Sequence, residues 1–219
     1  MTTVIQQVAK AMERIAPLSL AEPWDNVGIM LEAVKPRTDR RVVLTIDLTP
    51  SVLAEVLSLP LRPSTIVSYH PPIFSALKSL THATPLQHTL LSLAREGVSV
   101  YTPHTALDNA AEGVNWWVAQ AFRERGTWEP WARGGGVVRL AVPETIGAVV
   151  QRLKLHFSIP AVNVGTLEPH RSISTIALCA GSGGRSLAER GADADCWLTG
   201  EMAHHDVLAA VAQGKTVLL

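Results

Sequence analysis

Two short apolar runs that each break at a histidine constrain this chain more than anything else in it. Thr65-Ile66-Val67-Ser68-Tyr69 runs into His70-Pro71-Pro72, and Val98-Ser99-Val100-Tyr101-Thr102 runs into Pro103-His104. Their length and β-branched content read as buried strands. Residues 85 to 96 between them carry a helical pattern that stops at Gly97. Strand, helix, strand implies parallel strands joined by a crossover. Such sheets bind ligands in the crevice outside the strand carboxyl ends. Both histidines fall just past such an end, and Asp108 follows His104 by four residues. Imidazole and carboxylate are the donors that a divalent ion of the zinc, iron or manganese type takes. A strand-end histidine bonded to backbone explains either residue alone. Their joint placement on neighbouring turns, each stiffened by proline, favours a ligand site.

The 219 residues suffice for one large or two small domains. A composition 47% hydrophobic and 17% charged gives a packed core rather than a disordered chain. The formal net charge of zero leaves no strong nucleic-acid footprint and no attraction to an acidic membrane. A local pocket for one small anion stays open. No apolar run reaches membrane-spanning length. Cys179 and Cys196 lack CxxC spacing and read as buried, reduced thiols of an intracellular protein. The N-terminal segment is amphipathic rather than signal-like, and Glu13 and Glu22 disfavour mitochondrial import. A cytoplasmic protein is expected, with nuclear or mitochondrial placement left open.

Taken in order, residues 3 to 15 form an amphipathic helix. Trp24-Asp25-Asn26 reads as a loop with an Asx-type turn, leading into a strand that ends at Leu31. Arg41 to Ile46 is the next strand, and Pro50 to Leu59 a helix capped by Thr49. Asp47 at that strand's end is either a ligand-side carboxylate or, more simply, a cap. Of the adjacent Trp116 and Trp117, on a helix over 111 to 123, one faces the core and the other is partly exposed. Residues 124 to 136, with Gly126, Pro130 and Gly134-Gly135-Gly136, read as a linker between an N-terminal lobe (1–123) and a C-terminal lobe (137–219). The second lobe is expected to hold a strand over 137–142, a helix over 144–157, and strands over 161–166, 174–179, 194–199 and 216–219.

Within it, Gly181-Ser182-Gly183 follows a strand and precedes a helix. Backbone amides there could cradle a phosphate or carboxylate, although a tight turn explains the glycines equally well. Glu201, His204 and His205 cluster just past the next strand. Four ionisable groups within residues 201–206 suggest a site more than a capping cluster. Gly214-Lys215-Thr216 lacks the upstream glycine and strand of a phosphate loop. The chain stops at Leu219 on an expected buried strand, which suggests that a further segment belongs after it.

Pro23-Trp24-Asp25-Asn26-Val27-Gly28, Ser68-Tyr69-His70-Pro71-Pro72-Ile73-Phe74, Pro103-His104-Thr105-Ala106-Leu107-Asp108, Gly113-Val114-Asn115, Ala180-Gly181-Ser182-Gly183 and Thr199-Gly200-Glu201-Met202-Ala203-His204-His205-Asp206 together resemble the Nif-three-like family, proteins also described as GTP cyclohydrolase I type 2 homologues. The form of the Ser68–Phe74 stretch is similar to the eukaryotic branch. The resemblance implies an α/β fold of two strand-helix lobes, layered α/β/α, with the site in the cleft at the strand carboxyl ends. It also implies a homo-oligomer, a ring-like hexamer of two trimers, and a two-metal site. Among that site's ligand positions, His70 and Asp108 match, with His104 beside them. Tyr69 stands where a histidine is expected, and the C-terminal His-x-x-x-Glu would fall beyond Leu219. One divalent ion at most is therefore expected. The implied activity is metal-dependent hydrolysis of a purine nucleotide such as GTP, with Glu201, His204 or His205 moving protons and Gly181, Ser182 and Gly183 holding substrate. The alternatives are a non-catalytic protein partner, for instance of a transcription regulator, and a metal-binding scaffold.

Overall fold

The computed structural model describes residues 2–219, which form two compact units divided between Leu107 and Asp108. The first is built on a four-stranded sheet of β1 (Gly28–Leu31), β2 (Val42–Thr45), β3 (Thr65–Ser68) and β4 (Ser99–Thr102), in the order β1-β4-β3-β2. β2, β3 and β4 are mutually parallel, and β1 lies antiparallel to β4. The parallel pairs are joined by α2 (Pro50–Ser58) and α3 (Pro85–Arg95), as the strand-helix-strand pattern requires. Each helix begins with proline at its first position behind a threonine cap: Val52 N–H donates to Thr49 Oγ1, and Gln87 N–H to Thr84 Oγ1. Alternation along the strands separates two cores. Ile66, Val98 and Val100 pack with Leu53, Val56 and Leu93. Val67 and Tyr101 face the other way, onto Ile5 of α1 (Val4–Ile15). The unit is thus an α/β/α layer.

α4 (His104–Asp108) follows β4. In the second unit, α5 (Val114–Ala119) precedes a six-stranded sheet of β5 (Gly126–Pro130), β6 (Gly136–Thr145), β7 (Val164–Gly165), β8 (Ser172–Ser182), β9 (Cys196–Glu201) and β10 (Thr216–Leu218), in the order β5-β6-β8-β9-β10-β7. One face packs Val149 and Leu153 of α6 (Ile146–Phe157), with Val118 and Phe122, on Ile176, Leu178 and Leu198. The other packs Leu187 of α7 (Gly184–Arg190) and Ala210 of α8 (His204–Ala212) on Ala177, Trp197 and Val217. Neither Cys179 nor Cys196 forms a disulfide, and burial pushes the Cys196 thiol pKa up. Trp116 is half-buried and Trp117 exposed.

The stretch expected to be a linker is a hairpin instead. β5 pairs antiparallel with β6 from Gly126↔Leu140 to Pro130↔Gly136. Its glycines look like breakers, yet they serve close approach of backbones. A Cβ on Gly126 would strike the carbonyl of Arg139, and one on Gly135 that of Leu178. The boundary between units accordingly falls at 107/108, not after residue 123.

Candidate functional site

Strand register assembles the site in the first unit. Val67 pairs with Tyr101 in the parallel β3–β4 ladder, so His70 and His104, each three residues further on, emerge level with one another. Thr45 pairs with Ser68 in the β2–β3 ladder, so Asp47 and His70, each two residues further on, also come level. Gly28 pairs with Thr102 in the antiparallel β1–β4 ladder, and three residues before Gly28 therefore lie opposite three residues after Thr102. That puts Asp25 against Thr105.

The outcome is two histidine–carboxylate pairs. His104 Nδ1 lies 2.8 Å from Asp25 Oδ1. Asp25 Oδ2 accepts the Thr105 amide at 3.1 Å and the Thr105 hydroxyl, whose oxygen in turn accepts from the Glu22 amide at 2.9 Å. The Asp25 side chain has no exposed surface, and His104 is 17% exposed. Burial alone would raise the Asp25 carboxyl. The bonds from the Thr105 hydroxyl, His104 and the Thr105 amide, with the charge of His104, outweigh it and hold the pKa below the ordinary value. An ionised carboxylate only accepts, so His104 Nδ1 is the donor of this bond, and in the neutral imidazole that tautomer leaves the lone pair on Nε2. His104 also has a φ of 34°, a left-handed conformation that costs a residue with a Cβ energy and clusters at functional sites.

His70 Nδ1 lies 2.8 Å from Asp47 Oδ1 in a more open pair. The His70 amide donates to Ile46 O at 3.0 Å, and the Ser68 hydroxyl donates to His70 O. Asp47 does not cap α2; Thr49 does. The two imidazoles face each other edge-on with ring centroids 5.6 Å apart. Among the described residues no hydrogen bond engages either Nε2. Three aromatic rings stand around His104: Tyr69 at 5.6 Å, Trp24 at 6.3 Å and Phe74 at 6.4 Å between centroids. Trp24 and Phe74 remain 59% and 55% exposed.

A carboxylate that holds Nδ1 while Nε2 is left open is the outer-shell arrangement of a metal-bound histidine. The donor set fits a borderline ion, but only in part. Among the described residues no three His, Cys, Asp or Glu side chains gather as a ligand group. Asp108 ends α4, one helical turn beyond His104, and its carbonyl accepts from Asn115 Nδ2 at 3.0 Å. Asp25 and the aromatic residues were not legible as site residues. The one bond Asp25 accepts from a sequence neighbour, donated by Asn26 N–H, spans a single residue and is not the Asx turn expected there. Only the antiparallel direction of β1 would have pointed to Thr105.

In the second unit, Glu201 ends β9 opposite Ser182 of β8. His204 and His205 open α8, both exposed, with rings 5.8 Å apart. Gly183 N–H already donates to Thr199 Oγ1 at 2.8 Å, and the Thr199 hydroxyl donates to Gly181 O at 2.8 Å. The turn is therefore braced internally, and of its three amides the Gly183 one is committed. Nearby, a mostly apolar cavity of about 420 Å³ is lined by Trp117, Phe157, Cys179, Gly181 and Leu198, among others.

Residues 3–219 match the profile of Duf34/NIF3 (NGG1p interacting factor 3). The chain is 42% identical over 233 residues to the Protein NIF3 homolog of Schizosaccharomyces pombe, covering 99% of this chain and 82% of that protein. It is 29% identical over 242 residues to NGG1-interacting factor 3 of Saccharomyces cerevisiae, covering 98% and 83%. The structure of reduced HcgD from Methanocaldococcus jannaschii shares its fold, with a TM-score of 0.81 at 20% identity, covering 98% of this chain and 85% of that one. No helix among the described residues is long and apolar enough to cross a membrane. Profile, relatives and fold agree, and the chain belongs to the Duf34/NIF3 family.

Proposed function

We propose that the first unit carries a metal-assisted hydrolytic centre organised on His104 and His70. One observation carries this reading: two imidazoles, each held through Nδ1 by its own carboxylate, present unengaged Nε2 atoms from rings 5.6 Å apart. His70 and His104 would hold a single divalent ion, and its remaining coordination positions would fall to water or substrate. Bound there, the ion supplies Lewis acidity and an activated water. The chain's own groups do the rest. Asp25 and Thr105 keep the His104 ring in one tautomer and orientation. Trp24 and Phe74, both exposed, offer aromatic rings against which a planar base can pack. A purine nucleotide such as GTP, implied by the family resemblance, suits those rings. Glu201, His204 and His205 are candidates for proton transfer and Gly181 and Ser182 for substrate contact, each within its own unit. The test is turnover of GTP with added Mn²⁺ or Zn²⁺, compared with His104→Ala and His70→Ala. Hydrolysis that survives in both variants contradicts the reading.

A second, compatible reading concerns partners. Leu44 pairs with Val67 and so points to the face that α1 covers, yet Leu44 is 77% exposed, with Val42 and Ile46 exposed beside it. β2 is a sheet edge, and an apolar stripe along an edge strand suits a protein interface. This supports a homo-oligomer or a protein partner, and the yeast relative is named as an interacting factor. Light scattering of the purified chain tests it.

A further inference from the structure

We propose that His82 and His88 form a second, separate metal site on the surface of the first unit, taking a borderline divalent transition ion such as Ni²⁺, Cu²⁺ or Zn²⁺. Their Nδ1 atoms stand 3.1 Å apart, with ring centroids at 5.3 Å and ring planes at 56°. Two neutral imidazoles can meet so closely only when one Nδ1 carries a proton and the other does not. The same separation is what one ion requires of two nitrogen ligands. With metal–nitrogen bonds of about 2.0–2.1 Å, two nitrogens lie about 3.3 Å apart at a tetrahedral angle and about 2.9 Å at a right angle. The observed distance falls between those limits. Ion binding replaces the shared proton, which moves to the outward Nε2 of its own ring.

The pair is held in place before any ion arrives. Gln87 Oε1 accepts from both the amide and the hydroxyl of Thr81, at 2.8 and 3.1 Å. The Thr81 oxygen also accepts from the Ala83 amide at 3.2 Å. Pro85 and the Thr84 cap fix the start of α3, which carries His88. The residues flanking both histidines are thus locked, and binding costs little ordering of the loop. The donor set selects the ion. Imidazole suits nickel, copper and zinc, whereas calcium and magnesium need oxygen ligands. Among the described residues no third His, Cys, Asp or Glu joins the pair. The other coordination positions are therefore left to water or to a donor from another molecule, and the ion is exchangeable. Both side chains are exposed, so nothing blocks its entry.

Calorimetric titration of the full chain with Ni²⁺ tests the site. The proposal expects a binding event that His82→Ala and His88→Ala each remove, and that His70→Ala and His104→Ala leave in place. Circular dichroism checks that the variants keep their fold. Cu²⁺ bound at this site should show nitrogen hyperfine coupling in its electron paramagnetic resonance spectrum, lost in either variant. Ni²⁺ binding of unchanged stoichiometry and affinity in both folded variants would overturn the proposal, as would an absence of Ni²⁺ binding in the His70→Ala and His104→Ala chains.

Discussion

His104 Nδ1 and Asp25 Oδ1 meet at 2.8 Å although 79 residues separate them in the chain, and the carboxylate they share with Thr105 is closed off from solvent. The pair welds the loop before β1 to the end of β4, and orients the imidazole at the same time. Asp25→Ala would leave the Thr105 amide and hydroxyl and the His104 N–H without their acceptor. A loss of about 2–4 kcal/mol in unfolding free energy is expected, measured by urea denaturation. Asp47→Ala, at an exposed pair, should cost under about 1 kcal/mol in the same assay.

Acid should expose the same contact. Burial would raise the Asp25 carboxyl, but its hydrogen bonds and His104 hold the folded-state pKa below the unfolded one. In Asp195 burial is outweighed in the same way, by the amides of Ser174 and Thr175, the Thr175 hydroxyl and Arg171. A depressed folded pKa contributes stability that is fully present above the unfolded value, near about pH 4, and is lost as pH falls through the folded value. Unfolding midpoints measured from about pH 6 down to pH 2 should fall steeply below the carboxyl range. Asp25→Asn should flatten part of that fall. A wild-type midpoint independent of pH in that window contradicts the assignment.

Much of the fold was legible in the sequence. Strand lengths, the Thr49 cap and the position of Gly97 are local signals, and β3, α3 and β4 follow from them. His70 and His104 were legible because breaks after parallel strands fall on one edge of a sheet. Asp25 was not, because its role depends on β1 running antiparallel to β4, which no local pattern encodes. The β5–β6 hairpin was missed for a related reason. Glycine marks a flexible joint or a close backbone approach with the same letter, and only the neighbouring strand distinguishes them.

Gly135 tests that distinction. It has a φ of 107° and its missing Cβ faces the carbonyl of Leu178. Gly135→Ala should destabilise the chain by about 2 kcal/mol or more, through the backbone conformation and the clash together. Gly147, with open space around it, should tolerate alanine, with a gain of up to about 1 kcal/mol from helix propensity. Thermal unfolding of both variants checks the contrast.

Assembly should depend on the edge of β2. Leu44→Asp places a charge in the exposed apolar stripe without entering the core. Size-exclusion chromatography with light scattering should show the wild-type chain as an oligomer and the variant as a smaller particle of unchanged fold. Identical masses would remove the stripe from the interface.

The most direct test is elemental analysis of the His82→Ala/His88→Ala chain after loading with zinc or manganese and dialysis, since that background leaves only the centre at His70 and His104. At most one ion per chain is expected there, removable by a chelator and absent once His70 or His104 is also alanine. Two ions per chain that resist chelation, or one ion retained with both His70 and His104 replaced, would contradict the account.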